Sequence, residues 1–273
     1  MNSRYSTVRL VLLIAIILAL VMTWIPGRVS VATAAVYQVN YTALGDSIAF
    51  GLYAFPGLGY VPLYAKALHN FSHLNVNLFP LGVPGWTSTD LANAVKTNLV
   101  FQLSVYGSDA ITFNIGGNDL NQARSSFKAG TCGGSDNQQC LVDAVTTFQS
   151  NWATIINAIT LLRKGRPTIL RTMDIYNPFV AEDSAAGDYV VLNTYLTQVN
   201  DIIHLTESAP PPGIPKIPYA RVYDAFNIDP ITKAVVDPAS KGLLSFDGFH
   251  PNTAGHAVIA AKLNALGYGA TVP

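Results

Sequence analysis

Beyond residue 35, the chain alternates between short runs rich in β-branched and aromatic residues and longer stretches that carry apolar residues at helical spacing. The short runs predict five strands, at Val39–Leu44, Asn75–Leu81, Ala110–Ile115, Thr168–Ile175 and Ala220–Ala225. The longer stretches predict helices at about Tyr60–Leu68, Ser88–Leu99, Leu141–Lys164, Tyr189–Thr206 and Thr253–Leu266. This alternation indicates βαβ units, and therefore a parallel sheet with helices on both faces.

The pattern has no internal repeat and no break that would separate a second domain. The proline-rich segment Ala209–Pro218 is predicted to be a loop that leads into the last strand. We therefore expect a single α/β domain over residues 35–273. In open parallel sheets, ligands bind outside the carboxyl ends of the strands, so functional residues are expected in the loops that follow the strands.

The first 34 residues differ from this pattern. The uncharged run Leu10–Ile25 follows two arginines and precedes the small-residue stretch Val31–Ala35. These are the features of a secretory signal peptide, which we expect to be cleaved near Ala34. The alternative is an uncleaved membrane anchor, because the uncharged stretch reaches 18 residues when Pro26 and Gly27 are counted. Both interpretations predict that the rest of the chain is secreted or extracytoplasmic.

The charge balance excludes one large class of partners. The full chain has 16 basic and 16 acidic side chains, and only 12% of its residues are charged. Loss of the leader removes three arginines and no acid, which leaves 13 basic against 16 acidic residues and a net charge of about −3. This composition lacks the electrostatic footprint of a nucleic-acid-binding protein, and we expect no nucleic-acid partner.

The two cysteines, Cys132 and Cys140, flank a segment rich in glycine and polar residues. They are too few for a disulfide-built fold, and they lack the spacing and the partner histidines of a zinc site. In an oxidising compartment we expect them to close a short loop as a disulfide, with two free thiols as the alternative.

The first candidate for chemistry is Gly45-Asp46-Ser47, which directly follows the first predicted strand. Ser47 would lie on a strand-to-helix turn, where a serine can act as a nucleophile if a base reaches it. Taken alone, the tripeptide is equally typical of a turn with a helix cap, which is the role we expect of Asp46. The chain has no G-x-S-x-G frame, so the nucleophile elbow of the α/β-hydrolases is not supported.

The second candidate is the tetrapeptide Asp247–His250, just before the last predicted helix. A carboxylate three residues before a histidine in a tight turn can hold the imidazole in one tautomer and stabilise its protonated form. Alone, the pair would also fit a turn with a capped helix. A metal site with His256 is disfavoured because no third matching ligand appears, and the i, i+4 pair His69 and His73 is predicted to lie at a surface helix end.

Two glycine-rich segments, Gly82–Ser88 and Gly116–Asp119, follow the second and third predicted strands. An acyl-transfer transition state needs hydrogen-bond donors aimed at its oxyanion. The backbone N–H groups of Ser47 and Gly85 and the side-chain amide of Asn118 are the three candidates. Each segment alone would be an ordinary glycine-rich turn.

The Gly-Asp-Ser motif, the glycine block, Gly-Gly-Asn-Asp and Asp-Gly-Phe-His occur in this order, and together they resemble the SGNH (GDSL) hydrolase superfamily from about Tyr41 to Leu266. The resemblance implies a three-layer α/β/α, flavodoxin-like fold with a five-stranded parallel sheet of order 2-1-3-4-5. It also implies that neither a metal nor an organic cofactor is required. The motif has isoleucine in place of the leucine of GDSL, a change that leaves the catalytic atoms untouched.

By position, the resemblance assigns a catalytic nucleophile, a base, an orienting acid and two oxyanion partners: Ser47, His250, Asp247, and Gly85 with Asn118. Gly85 is preferred to Gly82 because it is followed by Trp-Thr-Ser, which matches the Gly-x-Thr pattern of the family. Tyr176 and Phe179 follow the fourth predicted strand and are candidates for lining an acyl pocket, with buried turn aromatics as the alternative.

The leading hypothesis is a secreted serine esterase or lipase-like hydrolase that acts on small-molecule or lipid acyl esters, with transient contact to a lipid surface. A carbohydrate O-deacetylase of the same fold is the alternative within enzymes. Trp86, beside Gly85, would suit either, because an indole can pack on an acyl chain or stack on a sugar. The alternative of another class is a noncatalytic ligand-binding surface protein.

Overall fold

The computed structural model describes residues 37–269. The predicted leader, for which a signal peptide and a membrane anchor are the two interpretations, lies outside the described residues. Five parallel strands form one sheet: β1 (Gln38–Gly45), β2 (Asn75–Gly82), β3 (Ala110–Asn114), β4 (Ile169–Met173) and β5 (Tyr219–Ala220). Their order is β2-β1-β3-β4-β5, which confirms the order 2-1-3-4-5. β1 therefore lies between β2 and β3, and Tyr41 pairs with both Leu78 and Ala110.

Ten α-helices accompany the strands within the described residues: α1 (Ser47–Phe50), α2 (Tyr60–Ser72), α3 (Ser88–Thr97), α4 (Leu99–Gly107), α5 (Gly117–Lys128), α6 (Gln139–Leu162), α7 (Val180–Ala186), α8 (Tyr189–Ser208), α9 (Val222–Asn227) and α10 (Thr253–Ala265). α2 and α10 cover one face of the sheet, and α3, α4, α6 and α8 cover the other. The result is the predicted three-layer α/β/α arrangement. None of the helices in residues 37–269 has the length and apolar character needed to cross a membrane.

The interior strand β1 shows how the hydrophobic pattern leads to these layers. In β1, Tyr41 and Ala43 pack in the core on the α2 and α10 side, whereas Leu44 packs in the core on the other side. All three side chains are fully buried. Successive side chains of a strand point to opposite faces of the sheet, so a strand that is covered on both faces must be apolar along its length.

The predicted fifth strand, Ala220–Ala225, is wrong in its extent. β5 ends at Ala220, and α9 begins at Val222. The backbone N–H of Tyr223, in the first turn of α9, donates to Oδ1 of Asp174 at 2.8 Å, directly after β4. This carboxylate satisfies an N–H group that the helix itself cannot pair, so it stabilises a helix where the apolar residues alone suggested a strand.

The predicted helix Ser88–Leu99 is confirmed to within two residues as α3, but the helix that follows it, α4, was not predicted. α3 ends at Thr97, and the side chain of Asn98 caps α4 by accepting a hydrogen bond of 2.9 Å from the backbone N–H of Val100. An asparagine that competes for backbone N–H groups in this way favours a helix start over a helix interior. The other four predicted helices are confirmed to within a few residues.

The hydrophobic pattern does not predict α5, which is rich in polar side chains. Its start is determined by Gly116, which has a φ of +114°. A Cβ atom at this position would lie 2.6 Å from the ring of Phe148, so the turn between β3 and α5 requires glycine for both its backbone angle and its space.

Cys132 and Cys140 form the predicted disulfide, with their Cα atoms 4.8 Å apart. The bridge closes the loop between α5 and α6 and includes a residue of the first turn of α6. Within that loop, the side chain of Asn137 accepts a hydrogen bond from the backbone N–H of Cys132 (2.9 Å) and donates one to the carbonyl oxygen of Phe127 (2.8 Å). The loop is therefore tied to the end of α5 as well as closed on itself.

Candidate active site

Ser47 is the first residue of α1 and lies at the carboxyl end of β1. The turn that places it there begins at Gly45, which has a φ of +146° and approaches β3 so closely that a Cβ atom would lie 2.4 Å from the carbonyl oxygen of Asn114. Asp46 caps α1 through a hydrogen bond of 2.9 Å from the backbone N–H of Ile48 to its Oδ1. The N–H of Ser47 is among the groups that the start of a helix leaves without an internal partner.

Asp46 is a buried carboxylate that holds this turn together. Its Oδ1 also accepts a hydrogen bond of 2.8 Å from the side chain of Asn114, whose own Oδ1 accepts one of 2.9 Å from the hydroxyl of Tyr60. Burial raises the pKa of Asp46 to about 6, although hydrogen bonds from Ile48 and Asn114 oppose the shift. The carboxylate therefore connects β3 and α2 to the turn that carries Ser47.

We expect Asp46→Asn to change the pH dependence of stability. The folded pKa is about 6, whereas an aspartate in an unfolded chain titrates near pH 4. Between these values the unfolded chain loses its proton first, so the free energy of unfolding falls by about 2 kcal/mol as the pH rises from 4 to 7. An asparagine keeps the acceptor oxygen and has no such proton.

The measurement is urea unfolding of both proteins at pH 4, 5, 6 and 7. Because other groups titrate equally in both, only the difference between variant and wild type matters. We expect the variant to gain about 2 kcal/mol relative to wild type over this range. A difference that is the same at all four pH values would show that Asp46 does not titrate in this way.

His250 reaches Ser47 from the loop that precedes α10. Its Nε2 lies 2.8 Å from the Oγ of Ser47, and its Nδ1 lies 2.5 Å from Oδ2 of Asp247. The other carboxylate oxygen of Asp247 accepts hydrogen bonds from the hydroxyl of Ser245 at 2.6 Å and from the backbone N–H groups of Phe249 and His250 at 3.0 Å each. The three predicted side chains thus form one continuous hydrogen-bonded series.

The protonation state of this series follows from Asp247. Partial burial alone would raise the pKa of Asp247, but hydrogen bonds from His250, Ser245 and two backbone N–H groups outweigh burial and hold the pKa below its usual range. An ionised carboxylate only accepts, so in the neutral imidazole the ring proton lies on Nδ1. Nε2 is then free to accept the hydrogen bond from the hydroxyl of Ser47, which is the state in which a histidine can take up the serine proton.

The loops after β2 and β3 lie on either side of the loop that carries Ser47. Gly85 has a φ of +83°, and within residues 37–269 its backbone N–H makes no hydrogen bond. Nδ2 of Asn118, in the first turn of α5, donates to the carbonyl oxygen of Trp86 at 2.8 Å. This bond fixes the loop of Gly85 against α5 and leaves a second N–H on the Asn118 amide.

An apolar pocket adjoins these residues. Its wall includes Ile48 and Gly117, the sequence neighbours of Ser47 and Asn118, and it also includes Tyr176 and Phe179. The other apolar side chains in the wall are Leu120, Leu141, Ile175, Leu192, Leu196 and Phe249. A pocket with this lining beside the candidate nucleophile suits the hydrocarbon part of an ester.

The third residue predicted for this pocket is placed elsewhere. Trp86 does not line it, and the indole packs against Phe101 of α4, with ring centroids 5.4 Å apart. The contribution of Trp86 to the site is its backbone carbonyl, which accepts the hydrogen bond from Asn118. The side chain belongs to the core between the sheet and α3 and α4.

The pocket has one polar wall that the sequence pattern does not reveal. The guanidinium of Arg124 lies 2.6 Å from the carboxylate of Asp183, which is almost fully buried, and 3.7 Å above the centre of the Phe179 ring. A buried carboxylate requires such a partner. Arg124 and Asp183 are 59 residues apart in the chain, so no local motif reveals that they meet.

The remaining histidines considered from the sequence have structural contacts. His256 is fully buried, accepts a hydrogen bond from the backbone N–H of Tyr60 at Nδ1, and donates from Nε2 to the carbonyl oxygen of Leu52. Burial lowers its pKa to about 4, so it stays neutral at ordinary pH. Nδ1 of His69 lies 2.7 Å from a backbone carbonyl oxygen, and His73 ends α2. No group of three or more metal-ligating side chains occurs among the described residues.

Two supporting residues were missed in the sequence. Ser245 fixes Asp247, and its position two residues before the aspartate is the only local signal for that contact. Asn114 supports Asp46, and the signal is a polar residue at the end of an otherwise apolar strand. Asp119, at the end of the predicted segment Gly116–Asp119, ties α5 to α3, because its carboxylate accepts hydrogen bonds from the backbone N–H and hydroxyl of Ser88.

The strand order, with hydrogen-bonded serine, histidine and aspartate at the carboxyl edge, is the arrangement of the SGNH class of α/β hydrolases. Residues 43–258 match the family model of the GDSL-like Lipase/Acylhydrolase family. The chain belongs to this family and is a carboxylic ester hydrolase.

Two relatives illustrate the range of sequences in this group. The chain is 26% identical to the spore germination lipase LipC of Bacillus licheniformis over 236 residues, which is 85% of this chain and 97% of the relative. It is 27% identical to the uncharacterized protein YpmR of Bacillus subtilis over 228 residues, which is 83% of this chain and 80% of that protein.

Solved structures of similar fold include enzymes for two kinds of ester. The lipase Lip_vut3 from a goat rumen metagenome superposes with a TM-score of 0.65 at 25% identity, over 86% of this chain and all of that one. Axe2, an acetylxylan esterase from Geobacillus stearothermophilus, superposes with a TM-score of 0.55 at 20% identity, over 84% of this chain and 94% of that one. The second likeness concerns the fold alone.

Proposed function

We propose that this protein is a secreted serine esterase of the lipase type, in which Ser47, His250 and Asp247 cleave acyl esters. The observation that supports this most strongly is the unbroken series of hydrogen bonds from the hydroxyl of Ser47 through the imidazole to the ionised carboxylate. A serine hydroxyl is a weak nucleophile until a base takes its proton, and this geometry supplies the base and orients it.

The proposed reaction has two halves. In the first, Oγ of Ser47 attacks the acyl carbon while Nε2 of His250 takes the hydroxyl proton, and the alcohol then leaves with that proton. In the second, water attacks the acyl-enzyme, its proton passes through His250 back to Ser47, and the carboxylic acid is released. Asp247 stabilises the imidazolium that forms in each half.

The negative charge on the carbonyl oxygen needs its own donors. We assign this role to the backbone N–H groups of Ser47 and Gly85 and the free N–H of the Asn118 amide. The unpaired N–H of Gly85 and the anchoring of Asn118 on the adjacent carbonyl oxygen support this assignment, because preorganised donors need not reorient during the reaction.

We expect Asn118→Ala to lower kcat by about 10²- to 10³-fold with a smaller change in KM, because the amide acts on charge that develops only in the transition state. Gln122→Ala, one helical turn further along α5 and exposed, is the matched control and should retain the wild-type rate. Steady-state kinetics on a p-nitrophenyl ester measure both. A rise in KM with an unchanged kcat would remove Asn118 from the oxyanion hole.

The pocket supports acyl chains longer than acetyl as the preferred substrates. Its lining is mostly aliphatic and aromatic. Each methylene group that an acyl chain buries against such a lining makes binding more favourable, whereas the lining has few groups that could hydrogen-bond to a sugar. The test is hydrolysis of p-nitrophenyl esters from acetyl to palmitoyl by the exported protein. We expect kcat/KM to rise several-fold from acetyl toward medium chains. Turnover of acetyl esters alone would favour a carbohydrate O-deacetylase instead.

A further inference from the structure

Large apolar side chains remain exposed around the mouth of the candidate active site. Five of them form what we call the apolar rim, with exposed fractions between 40% and 89%: Phe50, Tyr53, Phe55, Leu58 and Phe246. Four come from the eleven residues that follow Ser47, and the fifth precedes His250 by four positions. Exposed apolar groups that cluster in this way are typical of a surface that binds another protein, a membrane or a ligand.

Contacts between the residues join the rim to the reactive side chains. The ring of Tyr53 lies 4.9 Å from that of Phe246 and 5.4 Å from the imidazole of His250, measured between ring centroids. The backbone N–H of Phe55 donates to the hydroxyl of Thr253, three residues beyond His250. The two rim segments therefore meet beside the histidine that contacts Ser47.

The same series of rings continues inward from His250. The imidazole lies 4.6 Å from the ring of Phe249, which lies 5.7 Å from the ring of Phe179. Phe249 and Phe179 both line the apolar pocket. The rim and the pocket are thus the outer and inner parts of one apolar surface that passes the reactive serine.

The charge of the rim restricts what this surface can meet. The segment from Ser47 to Ala65 contains no charged side chain, and the net charge of the exported chain is about −3. A polyanionic surface would be repelled, and the rim offers no lysine or arginine to attract one. Aromatic and aliphatic side chains instead gain free energy by entering an acyl layer, where tyrosine can keep its hydroxyl at the polar boundary.

We propose that the apolar rim adsorbs the protein to the surface of aggregated, uncharged lipid esters and delivers single acyl chains from that surface into the pocket. This inference rests on the proposed function and extends it, because it names the physical state of the substrate. Adsorption places Ser47 against the lipid, so the rim raises the rate on aggregated esters and not on dissolved ones.

The test compares a rim variant with a matched control. Phe55→Ser with Phe246→Ser removes the two most exposed rim residues, and Leu161→Ser with Leu205→Ser removes two exposed leucines at the ends of α6 and α8. Those helices end at the amino edge of the sheet, opposite Ser47, because each leads into the next parallel strand. Circular dichroism and thermal melting confirm that both variants fold.

Each protein is assayed on dissolved p-nitrophenyl butyrate and on emulsified tributyrin. We expect the rim variant to retain its rate on the dissolved ester within about threefold and to lose at least about tenfold on the emulsion, while the control loses neither. Equal loss on both substrates would assign the two phenylalanines to the catalytic cleft and overturn the proposal. Full activity of the rim variant on the emulsion would also overturn it.

A second readout does not depend on catalysis. The same substitutions are made in a Ser47→Ala background, and binding to phosphatidylcholine vesicles is measured by sedimentation. Mass spectrometry determines the N-terminus of each exported protein, so that binding through an uncleaved leader is recognised. Binding that falls at least about tenfold in the rim variant alone supports the proposal. Equal binding by rim and control variants overturns it. If no ester is cut but the rim still determines vesicle binding, the proposed function is wrong, whereas adsorption of the rim to a lipid surface is supported.

Discussion

Replacing Ser47 with alanine should lower kcat/KM on p-nitrophenyl esters by about 10⁴- to 10⁶-fold. The substitution removes the only protein atom that becomes bonded to the acyl group in the proposed reaction. It should leave the fold intact, because the hydroxyl has a single side-chain partner, His250, and the cap of α1 is supplied by Asp46. The melting temperature should change by no more than a few degrees.

The matched control for this variant is Ser125→Ala, at an exposed position on α5. It should retain the wild-type rate and melting temperature. Steady-state assays of wild type, variant and control in one preparation series give the comparison. A Ser47→Ala protein that is folded and still turns over esters at the wild-type rate would remove Ser47 from the mechanism.

His250→Ala should cause a loss of similar size, because without a base the hydroxyl of Ser47 keeps its proton. Asp247→Asn should cost about 10⁴-fold, since the asparagine can present the wrong tautomer of His250 to the serine. Groups that act as one unit are not additive, so Ser47→Ala combined with His250→Ala should be no slower than either single variant by more than about tenfold.

Kinetics of the three single variants and the double variant on one ester make this test. If the losses instead multiply, the serine and the histidine act in independent steps. If His250→Ala retains its activity while Ser47→Ala does not, another base must serve the serine.

The fold could be predicted from the sequence because the central strands are covered on both faces and therefore appear as uninterrupted apolar runs. The errors fall where polar side chains, rather than hydrophobic periodicity, determine structure. Asp174 caps α9 and shortens β5, and Asn98 caps α4, a helix that was not predicted. Both contacts depend on a side chain that meets a backbone N–H group, and only the second is local in sequence.

The proximity of Ser47, Gly85 and Asn118 could be predicted for a related reason. Their motifs follow the ends of β1, β2 and β3, and parallel strands bring those ends to one edge of the sheet. The side chains that support them could not be predicted to the same degree. Arg124 meets Asp183 in the pocket wall, and Asn114 supports Asp46, through contacts between elements that are distant along the chain.

The orientation of the Trp86 side chain could not be predicted from its neighbours in the sequence. Its position beside Gly85 suggested a side chain facing the substrate, but the indole packs on Phe101 in the core. A residue in a loop can turn either way, and the direction depends on which face offers an apolar partner. No local signal in the sequence reveals that partner, because α4 was not predicted.

The most direct test of Ser47 as the nucleophile is covalent labelling of the purified protein with a fluorophosphonate, which reacts with activated serine hydroxyls. Intact-protein and peptide mass spectrometry locate and count the adduct. We predict one adduct per chain, on the peptide that contains Ser47, with labelling strongly slowed in His250→Ala and absent in Ser47→Ala. Labelling of Ser47→Ala to the wild-type extent, or an adduct on another serine, would contradict the account.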